Sequence, residues 1–91
     1  MLPEAKLEQL TRRYAELDDL LCQQSVLTDR NKLSKLTRER ADLEPLVAKF
    51  ARYRDVERQI REGEEALADP ELRDLAMAEI ASLGAERGAL T

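Results

Sequence analysis

Ninety-one residues make one small domain at most, and a composition that is 37% charged and only 3% aromatic favours long helices or a coiled coil over a sheet protein. The net charge of −4 argues against a domain that coats nucleic acid by bulk electrostatics, and no apolar run approaches the ~18 residues of a transmembrane span. Cys22 stands alone, so no internal disulfide or cysteine metal cluster is expected, and a cytoplasmic location is the simplest fit. The first residues, Met1-Leu2-Pro3-Glu4, lack the basic-then-apolar order of a secretory signal.

The first helix is expected over about residues 4–23. Leu7, Leu10, Tyr14, Leu17 and Leu21 recur at spacings of three and four, which is one helical face. Pro3 suits its first turn, and Glu4 and Glu8 lie near the positive end of its dipole. The period fades over residues 22–25, and Cys22 reads as a small, partly buried residue near the helix end.

Thr28 or Asp29 then caps a second segment. Leu33, Leu36, Leu43, Val47, Phe50, Tyr53, Val56, Ile60 and Leu67 carry the helical period, with Arg40 and Gly63 occupying two places in the stripe. About 40 residues of helix would span roughly 60 Å. Pro45 removes one backbone hydrogen bond and pushes Glu44 away from helical geometry, so it either kinks this helix or breaks it in two. No Gly, Asn or Ser cluster marks a loop there, which favours the kink.

Asp69 has the chemistry of an N-cap, Pro70 of a first helical residue and Glu71 of a charge at the dipole's positive end, which predicts a third helix from Asp69. Leu72, Leu75, Ala76, Ile80, Leu83 and Leu90 mark its apolar side. Gly84 and Gly88 weaken its end, each by about 1 kcal/mol relative to Ala. Short connections make the first and third helices antiparallel to the second, the first along residues near 30–50 and the third along residues near 50–67. The expected architecture is all-α: an elongated antiparallel three-helix arrangement, coiled-coil-like, around one long Pro-kinked central helix.

Charge is uneven along the chain. Residues 1–28 carry three bases and five acids, residues 29–61 ten and six, and residues 62–91 two and eight. An antiparallel fold can use a basic middle between acidic ends for internal pairing; the other reading is a local basic patch for RNA. Arg54, Arg58 and Arg61 form the sharpest cluster, on one helical face, with Glu57, Glu62 and Glu65 near enough to neutralise part of it. No aromatic platform interleaves with them, so any contact with RNA would be to phosphate and shape.

Nothing in the sequence points to catalysis. There is no His, the serines have no partner base, and no Gly-rich phosphate loop occurs. The acidic pairs Asp18-Asp19 and Glu64-Glu65 diverge by about 100° around a helix, so neither converges on a substrate. No cofactor and no metal is expected. The apolar stripes form either an internal core or the seam of a dimeric coiled coil, and the unequal helix lengths favour the internal core.

Three stretches resemble the N-terminal helical domain of bacterial class I peptide chain release factors. Residues 32–47, KLSKLTRERADLEPLV, look like the family's Lys-Leu helix ending in Leu-Glu-Pro and an aliphatic pair. Residues 50–60 resemble the aromatic and basic run that follows. Residues 67–79, LADPELRDLAMAE, resemble its Asp-Pro-Glu-Met-Arg-Glu-Met-Ala block. Leu72 and Leu75 stand where methionine is common, Arg40 where an aromatic is usual, and residues 22–24 replace a turn that often contains Asp-Pro.

The resemblance covers nearly the whole chain and implies a role in translation termination. It makes residues 1–91 an accessory, ribosome-docking domain of a factor that directs peptide release, at UAA and UAG in the branch it most resembles. The family's Gly-Gly-Gln loop and codon-reading Pro-x-Thr tripeptide do not occur in these residues, so the fragment itself is not expected to be an enzyme. The implied partners are the stalk base of the large ribosomal subunit, its GTPase-associated centre, and functionally the GTPase release factor 3; no membrane is involved. Arg54, Arg58 and Arg61 are the candidate ribosome contacts. The alternative from another class is an autonomous coiled-coil adaptor acting through helix–helix dimerisation.

Overall fold

A computed structural model describes residues 2–91. They form α1 (Glu4–Leu20), α2 (Gln24–Leu27), α3 (Arg30–Ala66) and α4 (Arg73–Leu90), with no strand among the described residues. The all-α expectation holds. The chain packs as two compact units, Leu2–Ala48 and Lys49–Thr91, and α3 contributes to both.

In the unit Leu2–Ala48, α1 stops three residues earlier than the periodicity suggests. The amide N–H groups of Cys22 and Gln23 reach back three residues, to Asp19 and Leu20, and Gln23 is extended at φ −80° and ψ 136°. A single helical turn, α2, then inserts Val26 into the core; Val26 and Leu17 are the buried side chains here. The lone cysteine is exposed rather than partly buried, because it sits on this outer turn.

Asp29, and not Thr28, caps α3. Its Oδ1 accepts from the amides of Asn31 and Lys32 at 3.1 and 3.2 Å, while the Thr28 hydroxyl turns back and donates to the carbonyl of Gln24. Arg13 donates from Nε and Nη2 to both carboxylate oxygens of Glu39, at 2.6 and 2.9 Å. This fork ties α1 to the first half of α3, as the short connection requires. Arg40 fills its place in the apolar stripe by laying its guanidinium 4.7 Å over the Tyr14 ring and donating to Asp18.

Pro45 lies inside α3 without ending it. It and Ala41, whose carbonyl loses its helical partner, are both exposed, so the freed acceptor lies on a solvated side of the helix.

In the unit Lys49–Thr91, Val56, Ile60 and Leu83 form a buried cluster, with Ile80 and Leu90 packed against it. In this unit α3 and α4 pack on each other through these residues. Arg52 meets Glu86 and Gly63 meets Ile80, so α4 recedes as α3 advances: the two are antiparallel. A Cβ at Gly63 would lie 2.9 Å from Ile80 Cγ1, which explains glycine at a stripe position.

The third predicted helix begins later than expected. Residues 69–72 form a turn, with Asp69 Oδ1 accepting from the Glu71 amide at 2.9 Å and the Asp69 carbonyl from the Leu72 amide at 3.1 Å. Asp at the first place and Pro at the second suit such a turn as well as they suit a helix start. The helix proper starts at Arg73, and its first backbone bond runs from the Ala76 amide to the Leu72 carbonyl.

Candidate docking surface

Arg54, Arg58 and Arg61 lie on α3 within the unit Lys49–Thr91, and their side chains are exposed. Their surroundings differ. The guanidinium of Arg54 sits 4.3 Å over the ring of buried Phe50. Arg58 donates to Asp55 and, at 2.8 Å, to Glu62. Arg61 makes no ion pair or side-chain hydrogen bond among the described residues.

Of the acids expected to neutralise this cluster, Glu62 does so. Asp55 does more, because it sits three residues from both Arg52 and Arg58 and bridges them. The bond from Arg58, then that from Gln59, holds the Asp55 carboxyl below its ordinary range, and the same bond to Asp55 raises the Arg58 guanidinium. The signal for Asp55 was its i, i±3 spacing to two arginines. Arg52 is in turn held by Glu86, through Nε and Nη2 at 2.9 Å each.

The same unit carries an open cleft of about 430 Å³ between the end of α3 and the start of α4. It is lined by the small residues Gly63, Ala66 and Ala76, by Leu72 and Leu75, and by the polar residues Arg58, Gln59, Glu62 and Glu79. Leu72, Leu75 and Ala76 were expected on the apolar side of the third helix. Ala76 is buried, but Leu72 and Leu75 are 46% and 69% exposed. The register that sets Ile80 beside Gly63 carries these two leucines toward and past the end of α3 at Ala66, where the open cleft leaves them exposed. Among the described residues, no group of three or more Cys, Asp or Glu is placed to hold a metal ion. No helix among the described residues is long and apolar enough to cross a membrane.

The PCRF domain family matches residues 10–91, which takes in most of the first unit and all of the second. The chain belongs to the PCRF domain family. This PCRF domain is 53% identical over 87 residues to peptide chain release factor 1 of Sorangium cellulosum (strain So ce56), covering 96% of this chain and 24% of that protein. It is 41% identical over 85 residues to the peptide chain release factor 1 of Geotalea uraniireducens (strain Rf4), covering 93% and 24%. Against that of Burkholderia multivorans (strain ATCC 17616 / 249) the identity is 44% over 79 residues, covering 87% and 22%. The chain therefore spans about a quarter of the length of the curated relatives it matches. No solved structure matches it significantly. The resemblance carried by residues 32–47, 50–60 and 67–79 is borne out, and the PCRF match contains the arginine cluster and the cleft together.

Proposed function

We propose that this PCRF domain serves translation termination as the ribosome-docking part of a peptide chain release factor acting at UAA and UAG. The observation that carries this is the match to release factor 1 proteins along 96% of the chain at 53% identity. The domain acts by binding and positioning, in the cytoplasm, at the stalk base of the large subunit and its GTPase-associated centre, in functional connection with the GTPase release factor 3. Peptide release and codon reading are tasks of the whole factor.

Arg54, Arg58 and Arg61 are the proposed contacts with ribosomal RNA, through phosphate. Arg61 is the sharpest of them, since Arg58 is already committed to Asp55 and Glu62. The test measures association of the intact factor with ribosomes over a salt series, for Arg61→Glu and for Arg54→Glu with Arg58→Glu. For each phosphate that a variant no longer neutralises, binding should weaken and the log–log salt slope should flatten by about 0.7–0.9. Unchanged binding and slope in both variants would return these arginines to a solvated face. Failure of the intact factor to release peptide from ribosomes programmed with UAA or UAG would overturn the assignment to termination itself.

A further inference from the structure

In the unit Leu2–Ala48, the arginines at the contact of α1 with α3 are consumed: Arg13 by Glu39 and Glu16, and Arg40 by Asp18. Another side of α3 differs. Arg30, Ser34 and Arg38 follow one another at i, i+4 and i+8, a row about 12 Å long, with Asn31 and Lys35 beside it at the same spacing of four. All five are exposed, and Arg30, Lys35 and Arg38 make no ion pair or side-chain hydrogen bond among the described residues. Ser34, Lys35 and Arg38 line an open depression of about 290 Å³ together with Glu39 and Asp42. Glu39 is already held by both bonds from Arg13, so Asp42 is the one uncommitted acid in the depression, against Lys35 and Arg38 within it and Arg30 a turn away.

We propose that this face of α3 binds the phosphate backbone of base-paired RNA. Cations interleaved with Asn and Ser side chains are the groups that hold phosphate and sugar oxygens. The face has no apolar anchor: the exposed large hydrophobic residues are Leu27, Leu46, Leu72, Leu75 and Met77, none of which lies in residues 30–45, and Leu33, Leu36 and Leu43 are half-buried. A protein hot spot or a membrane surface needs such an anchor. No aromatic ring stands free among the cations either. The Tyr14 ring is covered by Arg40, so unpaired bases have nothing to stack on and a duplex backbone is the better fit. The choice of RNA over DNA rests on the proposed role in termination. The cation row stands without it: it lies in a different unit from Arg54, Arg58 and Arg61 and is read without ribosomes.

The test uses the full chain and a fluorescein-labelled RNA hairpin with a stem of about ten base pairs, followed by fluorescence anisotropy at rising salt. Three phosphate contacts give a log–log slope of about −2.1 to −2.7, so a fourfold rise in salt should weaken binding about 20–40-fold. With Lys35→Gln and Arg38→Gln together one contact remains, and the same rise should weaken binding only about threefold. Lys35→Arg with Arg38→Lys keeps both charges and should keep the wild-type slope. Lys6→Gln with Arg12→Gln is the control: it removes two exposed cations of α1 that make no ion pair among the described residues, changes the net charge equally and should leave the slope unchanged. Asp42→Asn should tighten binding. In amide NMR spectra the unlabelled hairpin should move residues 30–38 most. Equal flattening by the α1 pair, or shifts centred elsewhere, would overturn the proposal. So would a fluorescein-labelled polyglutamate peptide that binds as tightly and is lost with the same α3 pair, which would make an acidic protein the partner. Circular dichroism of each variant confirms that the fold is retained, which the exposure of all these side chains leads one to expect.

Discussion

Gly63→Ala tests the packing of α3 on α4 because two effects of similar size oppose each other there. In a helix free of neighbours the change would stabilise by about 1 kcal/mol, by limiting the unfolded chain and favouring helical backbone. At Gly63 the new Cβ would lie 2.9 Å from Ile80 Cγ1 and 3.3 Å from Cδ1. Isoleucine is β-branched and stiff at χ1, so Cγ1 cannot turn aside without leaving its rotamer, and the helices must separate slightly. Overpacking of this kind costs about 1–3 kcal/mol. The balance runs from neutral to a loss of about 2 kcal/mol. Gly84 gives the reference inside the same chain: a Cβ there meets nothing within 4 Å. Gly84→Ala should therefore raise stability by about 1 kcal/mol, or roughly 4–8 °C in Tm for a chain of this size. Urea unfolding followed by circular dichroism measures both. In an Ile80→Ala background the obstruction is gone, and Gly63→Ala should become stabilising, with a coupling of about 1–3 kcal/mol. Equal stabilisation by Gly63→Ala and Gly84→Ala in the wild-type background would refute the contact and the register built on it.

Three further outcomes follow from the local structure. Asp29→Ala should cost about 1 kcal/mol in unfolding experiments, and Asp29→Asn should recover most of it, since either side-chain oxygen can accept from the amides of residues 31 and 32. Pro45→Ala should stabilise by about 2 kcal/mol, the ~3 kcal/mol of an interior proline less what it saves in the unfolded chain, with little change in helical content because α3 is already continuous. Glu39 and Asp55 are both held below their ordinary values of 4.5 and 3.8, chiefly by the bonds from Arg13 and Arg58. A depressed folded pKa gives stability that is complete above the unfolded value and lost as pH falls through the folded one, so unfolding should ease progressively below about pH 4.5, and Glu39→Gln with Asp55→Asn should flatten that acid limb.

The helices were legible because their stripes are long and regular, and the buried Leu17, Val56, Ile60 and Leu83 all fall on them. The failures fall where one residue pattern serves two local structures. Asp-Pro-Glu-Leu satisfies both a capped helix start and a hydrogen-bonded turn, and here the turn forms, with the Asp69 carbonyl accepting from the Leu72 amide. α2 escaped notice because one turn of helix has no period; Val26 is buried for the sake of a core that the flanking polar residues do not announce. Arg40 and Gly63 looked like gaps in a stripe. Each is explained by a neighbour distant in sequence, the Tyr14 ring in one case and the Ile80 side chain in the other. The arginine cluster was visible as a spacing, but its division into committed and uncommitted charges depended on Asp55, Glu62 and Phe50.

That division decides which variant tests the arginine face most cleanly. Reversing the charge of Arg58 would free Glu62 and leave Asp55 to Arg52 and Gln59, so a change in ribosome association would mix a lost phosphate contact with added repulsion among carboxylates. Arg61 makes no ion pair or side-chain hydrogen bond among the described residues, so Arg61→Glu removes a cation without releasing an acid. If Arg61 contacts phosphate, Arg61→Glu should weaken association of the intact factor with ribosomes and flatten its salt dependence, with the fold intact by circular dichroism. An effect from Arg58→Glu with none from Arg61→Glu would mean that the released carboxylates, and not a lost phosphate contact, are what the assay reads.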